Sequence, residues 1–352
     1  MGASMHNSNQ SFYDFGYTFL GPLLGTFIQR FDADYPNSTP VCLAREGWAF
    51  ERILRRVQSA KLIKNLNTPV YLRVSRSLLY RFFMGDPDCW PYLLTKKFEG
   101  TILQFLINRI GMTRDEAEGI IDKTILNTKI ELPNDCDFLQ SVLLKHESFL
   151  KNYTKLTRDA FIDYVNFLQL TDPSRDITFL DVGYSGTIQM LLTSVLQRDT
   201  KGFYFVTCVP EQNTIDTFNV NIKGAFLQNV KWGHGNLLLD RSLVLESILT
   251  APHGQVRDIR KRENGGFEFF YGREALPQTH SQDLTAIIDG AEECVVDNIQ
   301  NNVSYSDSEI SEIYRAFVTP LSAIPEDVSY LFTLDDDFSG NGLLKPTQLF
   351  GL

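Results

Sequence analysis

Large apolar residues recur at helical spacing from Tyr17 to Arg30 (YTFLGPLLGTFIQR), with Gly21-Pro22 suited to a first turn, and Pro36 to Pro40 then break the run. Val41 to Ala44 reads as a short buried strand, Arg45-Glu46-Gly47 as a turn, and Trp48 to Gln58 as a helix with Ala49, Ile53 and Val57 along one stripe. A second strand of β-branched and aromatic residues follows at Pro69 to Ser75 (PVYLRVS), then Arg76 and a helix over Ser77 to Phe83. The period changes after Gly85: Phe98 to Ile110, Thr113 to Leu126, Asp135 to Ser148 and Thr157 to Leu170 all carry helical spacing. The strand pattern resumes at Ile177 to Val182, turns through Gly183 to Gly186, enters a helix over Thr187 to Arg198, and returns as a strand at Gly202 to Cys208. A helix is expected over Leu238 to Leu249, an edge strand at Phe267 to Tyr271 and a late helix at Ser308 to Phe317.

Repeated strand–loop–helix units predict an α/β fold with a parallel sheet. The expected core comprises residues 14–84 and 173–280, with 85–172 as a helical insertion or hood and 281–352 as a C-terminal extension packed on the core.

Charge sharpens this division. Asp and Glu total 43 against 33 Lys and Arg, giving a net charge of -10, while 43% of residues are apolar. A basic nucleic-acid-coating protein and a disordered acidic chain are both poor fits. Residues 281–352 hold 13 of the acids and two bases, so residues 1–280 are nearly neutral and free to gather positive charge locally. The same late region contains Asp335 to Asp337, three consecutive acids that read as a solvated loop. Five cysteines without CxxC pairs or zinc-finger spacing favour a reducing compartment. The polar start, Met1 to Tyr13, lacks the apolar core of a secretory signal, and Met1 to Ser4 reads as an expression remnant. No stretch has the length and apolarity of a membrane span.

In open parallel sheets, ligands gather beyond the carboxyl ends of strands, where helix N-termini favour anions. Three polar segments fall there. In FLDVGYSGTIQ (Phe179 to Gln189), a strand delivers Asp181 to the sheet edge; Gly183 and Gly186 let the backbone curl around a phosphate, with Tyr184 between them and hydroxyls from Ser185 and Thr187. The alternative is a tight turn with a Ser/Thr cap. In CLAREGWAF (Cys42 to Phe50), Arg45 can clamp a diphosphate, Gly47 can expose an amide, and Glu46 can orient water, Mg2+ or a hydroxyl, or the segment is a surface turn with a local Arg/Glu pair. Cys42 reads as a core residue. Ser75 and Arg76 repeat the strand-end geometry, and Arg73 is either a further cation or an exposed strand residue. Glu246, in RSLVLESILTAPHG, is either a polar-face residue or an inward-pointing acid. His234 and His253 sit in loops as candidate acceptor contacts, unpaired as metal ligands. A lipase elbow is excluded because Thr187 stands where GxSxG needs its second glycine, and neither GxGxxG nor a Walker A loop is present.

FLDVGYSGT resembles a variant of the phosphoribosyl pyrophosphate loop of type I phosphoribosyltransferases, with CLAREG in the position of their pyrophosphate loop. More closely, FLGPLL, CLAREGW, YLRVSR, DVGYSGTIQ and LESILTAPHG together resemble a bacterial polysaccharide-synthesis module often fused to a haloacid-dehalogenase-like phosphatase, over about Phe15 to Tyr271.

That resemblance implies a type I phosphoribosyltransferase-like core. It also implies inverting transfer of 5-phosphoribose from phosphoribosyl pyrophosphate to a hydroxyl of a polyprenyl-diphosphate-linked saccharide, in the synthesis of ribofuranose-containing surface polysaccharide. Arg45, Arg76 and Mg2+ would neutralise the diphosphate; Tyr184 to Thr187 would hold the 5-phosphate; and Asp181 would hold the ribose hydroxyls or the metal. Glu46, Glu246 or Asp181 would serve as general base. The resemblance further implies a cytoplasmic protein in brief contact with the inner face of the membrane. The chain departs from the family in having Leu180-Asp181 where two acids are usual, and in lacking the phosphatase nucleophile motif DxDx[TV], so dephosphorylation falls to a separate phosphatase. A phosphoribosyltransferase acting on a nucleobase or other small acceptor, with Trp48 or Tyr184 as an aromatic slot, and a silent phosphosugar-binding protein are the alternatives.

Overall fold

Strand residues whose side chains alternate between two apolar layers build the centre of this molecule. The computed structural model describes residues 2–352, with side chains from residue 9 onward. The expectation for Met1 to Ser4 therefore lies outside the described residues and side chains. The polar start is helical from Gly2 to Phe15 and runs through a widened turn at Gly16–Leu20 into the helix Gly21–Asp34.

Among the described residues, the strands are β1 (Thr39–Leu43), β2 (Val70–Leu72), β3 (Phe98–Thr101), β4 (Lys129–Leu132), β5 (Ile177–Asp181), β6 (Thr200–Val206), β7 (Gln212–Ile215), β8 (Phe218–Leu227), β9 (Val256–Lys261), β10 (Phe267–Tyr271), β11 (Leu334–Asp336) and β12 (Gly342–Leu344). Six of them form the central sheet, in the order β2-β1-β5-β6-β8-β7. All neighbours pair in parallel except β7, an edge strand antiparallel to β8. Strand order reverses at β1 and β5, which are adjacent yet lead to helices in opposite directions of the winding, and this is where an open sheet leaves a crevice beyond its strand ends.

Helices cover both faces. Along β1, Val41 and Leu43 enter one core while Cys42 enters the other; along β5, Phe179 and Leu180 divide the same way. Cys42 is fully buried, as its reading as a core residue requires. On one face lie the helices Gly21–Asp34, Gly47–Ser59 and Ser281–Gln300. Phe27 locks them to the sheet, its ring 5.0 Å from Phe50, 5.0 Å from Phe203 and 4.4 Å from Phe205. Each such buried aromatic contributes roughly 1.5–3 kcal/mol through area alone, enough to fix the height at which Gly47–Ser59 meets the end of β1. The other face carries Arg76–Met84, Glu147–Phe167 and Thr187–Leu196.

The structure corrects several sequence expectations. Residues 85–172 are not wholly helical: Phe98–Thr101 and Lys129–Leu132 pair as an antiparallel ribbon, and the Thr113 to Leu126 stretch is two short helices, Arg114–Glu118 and Lys123–Leu126. The region shares one continuous core with Leu43, Leu72 and Phe179 of the sheet. The expected helix from Thr157 is the later half of Glu147–Phe167. Phe267 to Tyr271 is a strand, but it pairs with β9 in a separate ribbon instead of edging the sheet. In the acidic C-terminal region, the helix Ser281–Gln300 packs on the initial helices through Leu284, Ile287, Ile288, Ala291 and Val295. Among the described residues, no helix is long and apolar enough to cross a membrane.

Candidate functional site

The carboxyl ends of β1, β2 and β5 open into one cavity of about 420 Å³, within the usual range for small-molecule sites. Arg45, Glu46, Ser75, Arg76, Asp181 and Gly183 to Thr187 all line it, as does Glu246 from the helix Ser242–Ile248. Gly47 stands immediately behind, as the first residue of Gly47–Ser59. A Cβ at Gly47 would meet the Cys42 carbonyl carbon at 2.4 Å, so glycine is required for the helix to start this close to β1. Three helices, Gly47–Ser59, Arg76–Met84 and Thr187–Leu196, begin at this cavity and turn their positive ends towards it.

The loop after β5 shows how local sequence produces local shape. Gly183 passes so close to β6 that a Cβ there would sit 2.7 Å from the Val206 carbonyl oxygen. Gly186 has φ +63°, which disfavours side-chain-bearing residues, and a Cβ on it would lie 2.2 Å from Ile222 Cδ1. The peptides Ala44–Arg45 and Gly183–Tyr184 are both cis. Gly186→Ala is expected to lower folding stability by about 1–3 kcal/mol in urea titration, from the positive φ and the crowding against Ile222. A change below about 0.5 kcal/mol would show that the loop relaxes freely.

The electrostatics are those of a mixed cluster. Asp181 is buried, and its Oδ1 accepts the Val182 amide at 2.8 Å. Burial first, then the charge of Glu46, raises its carboxyl well above the usual range. Glu46 folds back to accept the Arg45 amide at 3.0 Å, and burial raises its carboxyl against the opposing pull of Arg45. Glu246 accepts a hydrogen bond from the Tyr184 hydroxyl at 2.8 Å. Its carboxyl is pushed up to about 7 by burial and next by Glu46, so it changes charge near neutrality. The inward-pointing alternative for Glu246 is therefore the one the fold adopts.

Other candidates are placed differently. Ser75 lines the cavity, but its hydroxyl accepts the Leu78 amide as a helix cap and donates to the Val256 carbonyl. Arg76 is exposed at the rim, its guanidinium 4.5 Å from the centre of the Phe338 ring. Arg73 lies exposed over Phe269. Trp48 is outside the cavity lining, beneath Arg52, and the Tyr184 phenol is engaged by Glu246. His234 is exposed in its loop. His253 holds Tyr71: its Nδ1 lies 2.8 Å from the Gly254 carbonyl oxygen and its Nε2 2.8 Å from the Tyr71 hydroxyl. Neither histidine lines the cavity.

Asp335 to Asp337 are a correction. They belong to β11 and the tight turn after it, and the Asp335 side chain is completely buried beside Arg273. Asp337 pairs with Arg257 and Arg273, fixing the turn. Asp335 and Phe338 thereby become part of the cavity wall, a contribution from the C-terminal region that the run of acids in the sequence did not signal. Gln255, Cys208 and Trp232 also join the lining without a sequence cue.

Among the described residues, three polar atoms of this wall are buried without a hydrogen-bond partner: Arg45 Nη1, Asp335 Oδ2 and Gln255 Oε1. Orphaned polar atoms cost roughly 1–3 kcal/mol each, so a donor and two acceptors around one cavity point to a polar ligand that completes them. Among the described residues, no three acids, histidines or cysteines are grouped so as to hold a metal ion. Mg2+ commonly takes only one or two carboxylates and completes its shell with phosphate oxygens and water, so a single one of Asp181, Glu46 or Asp335 in the cavity wall would suffice beside a phosphate-bearing ligand. No protein-family model matches this chain, and no curated protein matches it.

Proposed function

We propose that the chain transfers 5-phosphoribose from phosphoribosyl pyrophosphate to an acceptor hydroxyl, and that its sheet is a type I phosphoribosyltransferase-like core. The observation carrying this reading is the meeting of Arg45, Arg76 and the Gly183–Thr187 turn around one cavity, at the starts of three helices. A donor with a phosphate at one end and a diphosphate at the other matches two separated anion sites with carboxylates between them. Thr187–Leu196 and its preceding turn receive the 5-phosphate; Arg45, with its orphan Nη1, and Arg76 receive the diphosphate. Asp181 faces the ribose hydroxyls. Glu46, Asp181, Glu246 and Asp335 would repel a bare diphosphate, which favours a donor carrying Mg2+; when bound, the ion neutralises leaving-group charge.

In the reaction, the acceptor oxygen bonds to ribose C1 as the bond from C1 to the diphosphate oxygen breaks. The bonding pair leaves with the diphosphate, and the hydroxyl proton passes to a carboxylate. Glu246 is the best base of the three candidates because its carboxyl titrates near neutral pH, where proton acceptance and proton return are both accessible. The product, a ribofuranosyl 5-phosphate, calls for a separate phosphatase, and the acceptor proposed here is a polyprenyl-diphosphate-linked saccharide reached at the inner membrane face.

The observation favouring a nucleobase acceptor instead is Trp232, half-exposed at the cavity edge and 5.5 Å from the Tyr184 ring centre, which offers a stacking surface for a planar ring. Mass spectrometry of acceptor mixtures incubated with phosphoribosyl pyrophosphate and Mg2+ separates the two. The expected result is phosphoribosyl addition to a saccharide, abolished by Asp181→Ala; addition to a free base alone would reverse the assignment.

A further inference from the structure

A second, larger cavity of about 850 Å³ lies between the β3–β4 ribbon and the turn Ser339 to Asn341. Ser339 lines both cavities, so the two adjoin across the same C-terminal turn that brings Asp335 and Phe338 to the first. Phe338 is the partition: Arg76 of the first cavity lies 4.5 Å from its ring centre and Arg109 of the second lies 4.2 Å from it.

The chemistry of the second cavity is distinct. Lys97, Lys129 and Arg109 are balanced by Glu99, Glu131 and Asp135, which selects neither a polyanion nor a polycation. Its apolar members Phe98 and Ile130 are buried, leaving no aromatic platform for a base among the described lining residues. Instead it is rich in hydrogen-bonding groups, including Gln104, Asn108 and Asn341. Glu99 and Glu131 stand directly opposite each other in the ribbon, a like-charge pair that hydroxyl donors would relieve. Arg109 is 4% exposed and its Nε has no partner, so this wall too holds a buried donor awaiting an acceptor.

We propose that this cavity is the acceptor subsite and binds a polyhydroxylated chain of several sugar units, presenting one terminal hydroxyl past Ser339 to the donor cavity. The inference rests on the phosphoribosyl-transfer reading only for what happens to that hydroxyl; saccharide binding itself is independent of it. Its volume, about twice that of the donor cavity, suits more than one sugar ring.

The test is glycan-array binding by the full chain, comparing wild type with Asn341→Trp and Glu131→Ala, two exposed positions on opposite walls. In parallel, the thermal shift caused by phosphoribosyl pyrophosphate with Mg2+ is measured for each protein. The expected result is oligosaccharide binding by wild type, weakened at least tenfold in both variants, with the donor shift unchanged. Saccharide binding equal in all three proteins, or no glycan bound by wild type, would overturn the proposal. A wild-type chain that binds glycans through these walls but shows no donor shift would sink the donor reading and leave the subsite standing.

Discussion

Arg45→Ala is expected to lower diphosphate release from phosphoribosyl pyrophosphate by about 100- to 1,000-fold while the protein remains folded. Arg45 leaves the end of β1 immediately before the helix Gly47–Ser59, and its Nη1 is buried at the cavity without a partner. A guanidinium prepared in this way pays little reorganisation when charge develops on the departing diphosphate, so its removal acts mainly on the transition state. Removing it also takes away a cation that favours ionisation of Glu46, Glu246 and Asp335. Those carboxyls should then titrate higher, further weakening metal binding at neutral pH. Arg45→Lys should recover only part of the loss, because an ammonium cannot present paired donors. Steady-state diphosphate release checks both variants; near-wild-type turnover in Arg45→Ala would remove the arginine from the leaving-group role.

Glu246→Gln should abolish the rise of kcat/KM with pH around 7 and cost about 100- to 10,000-fold in turnover at pH 8. The base works when ionised, and with its carboxyl near 7 the wild-type rate should climb through neutrality and then level. Stability should move in the opposite direction. The folded-state value lies above the usual 4.5, so the native protein holds a proton that the unfolded chain has lost; the stabilising contribution is full below about 4.5 and fades as pH rises through about 7. Glu246→Gln should flatten this decline. Thermal unfolding and kcat/KM measured from pH 5 to 8.5 test both halves. A variant that keeps the wild-type pH–rate profile would exclude Glu246 as base, even if it flattens the stability curve.

The parts of this molecule legible in the sequence are those governed by local pattern. Buried runs such as Val41 to Leu43 and Ile177 to Asp181 mark parallel strands because both sides of the chain are apolar, and the polar residues ending them fall at strand ends by necessity. That reasoning brings Arg45, Glu46, Arg76, Asp181 and the Gly183–Thr187 turn to one place, and their joint position carries more than any single motif. The β3–β4 ribbon is not legible in the sequence because its four-residue strands are too short to establish a period. Strands β7 and β8 are hard to read because β7 is a polar edge strand and the apolar Ile215, Phe218, Val220 and Ile222 are separated by polar residues, too sparse to mark a strand. Asp335 could not be found by pattern at all: its burial is created by Arg257 and Arg273, more than sixty residues away, holding the turn that follows it. Ser75 illustrates the opposite error, a well-placed hydroxyl already engaged in capping its own helix.

The most direct test of the central claim is calorimetric titration of phosphoribosyl pyrophosphate with Mg2+ into wild-type protein and into Arg45→Ala and Asp181→Ala. Saturable one-to-one binding to wild type is expected, competed by diphosphate and weakened at least tenfold in each variant. Absence of binding to folded wild-type protein, or equal affinity in all three, would contradict it.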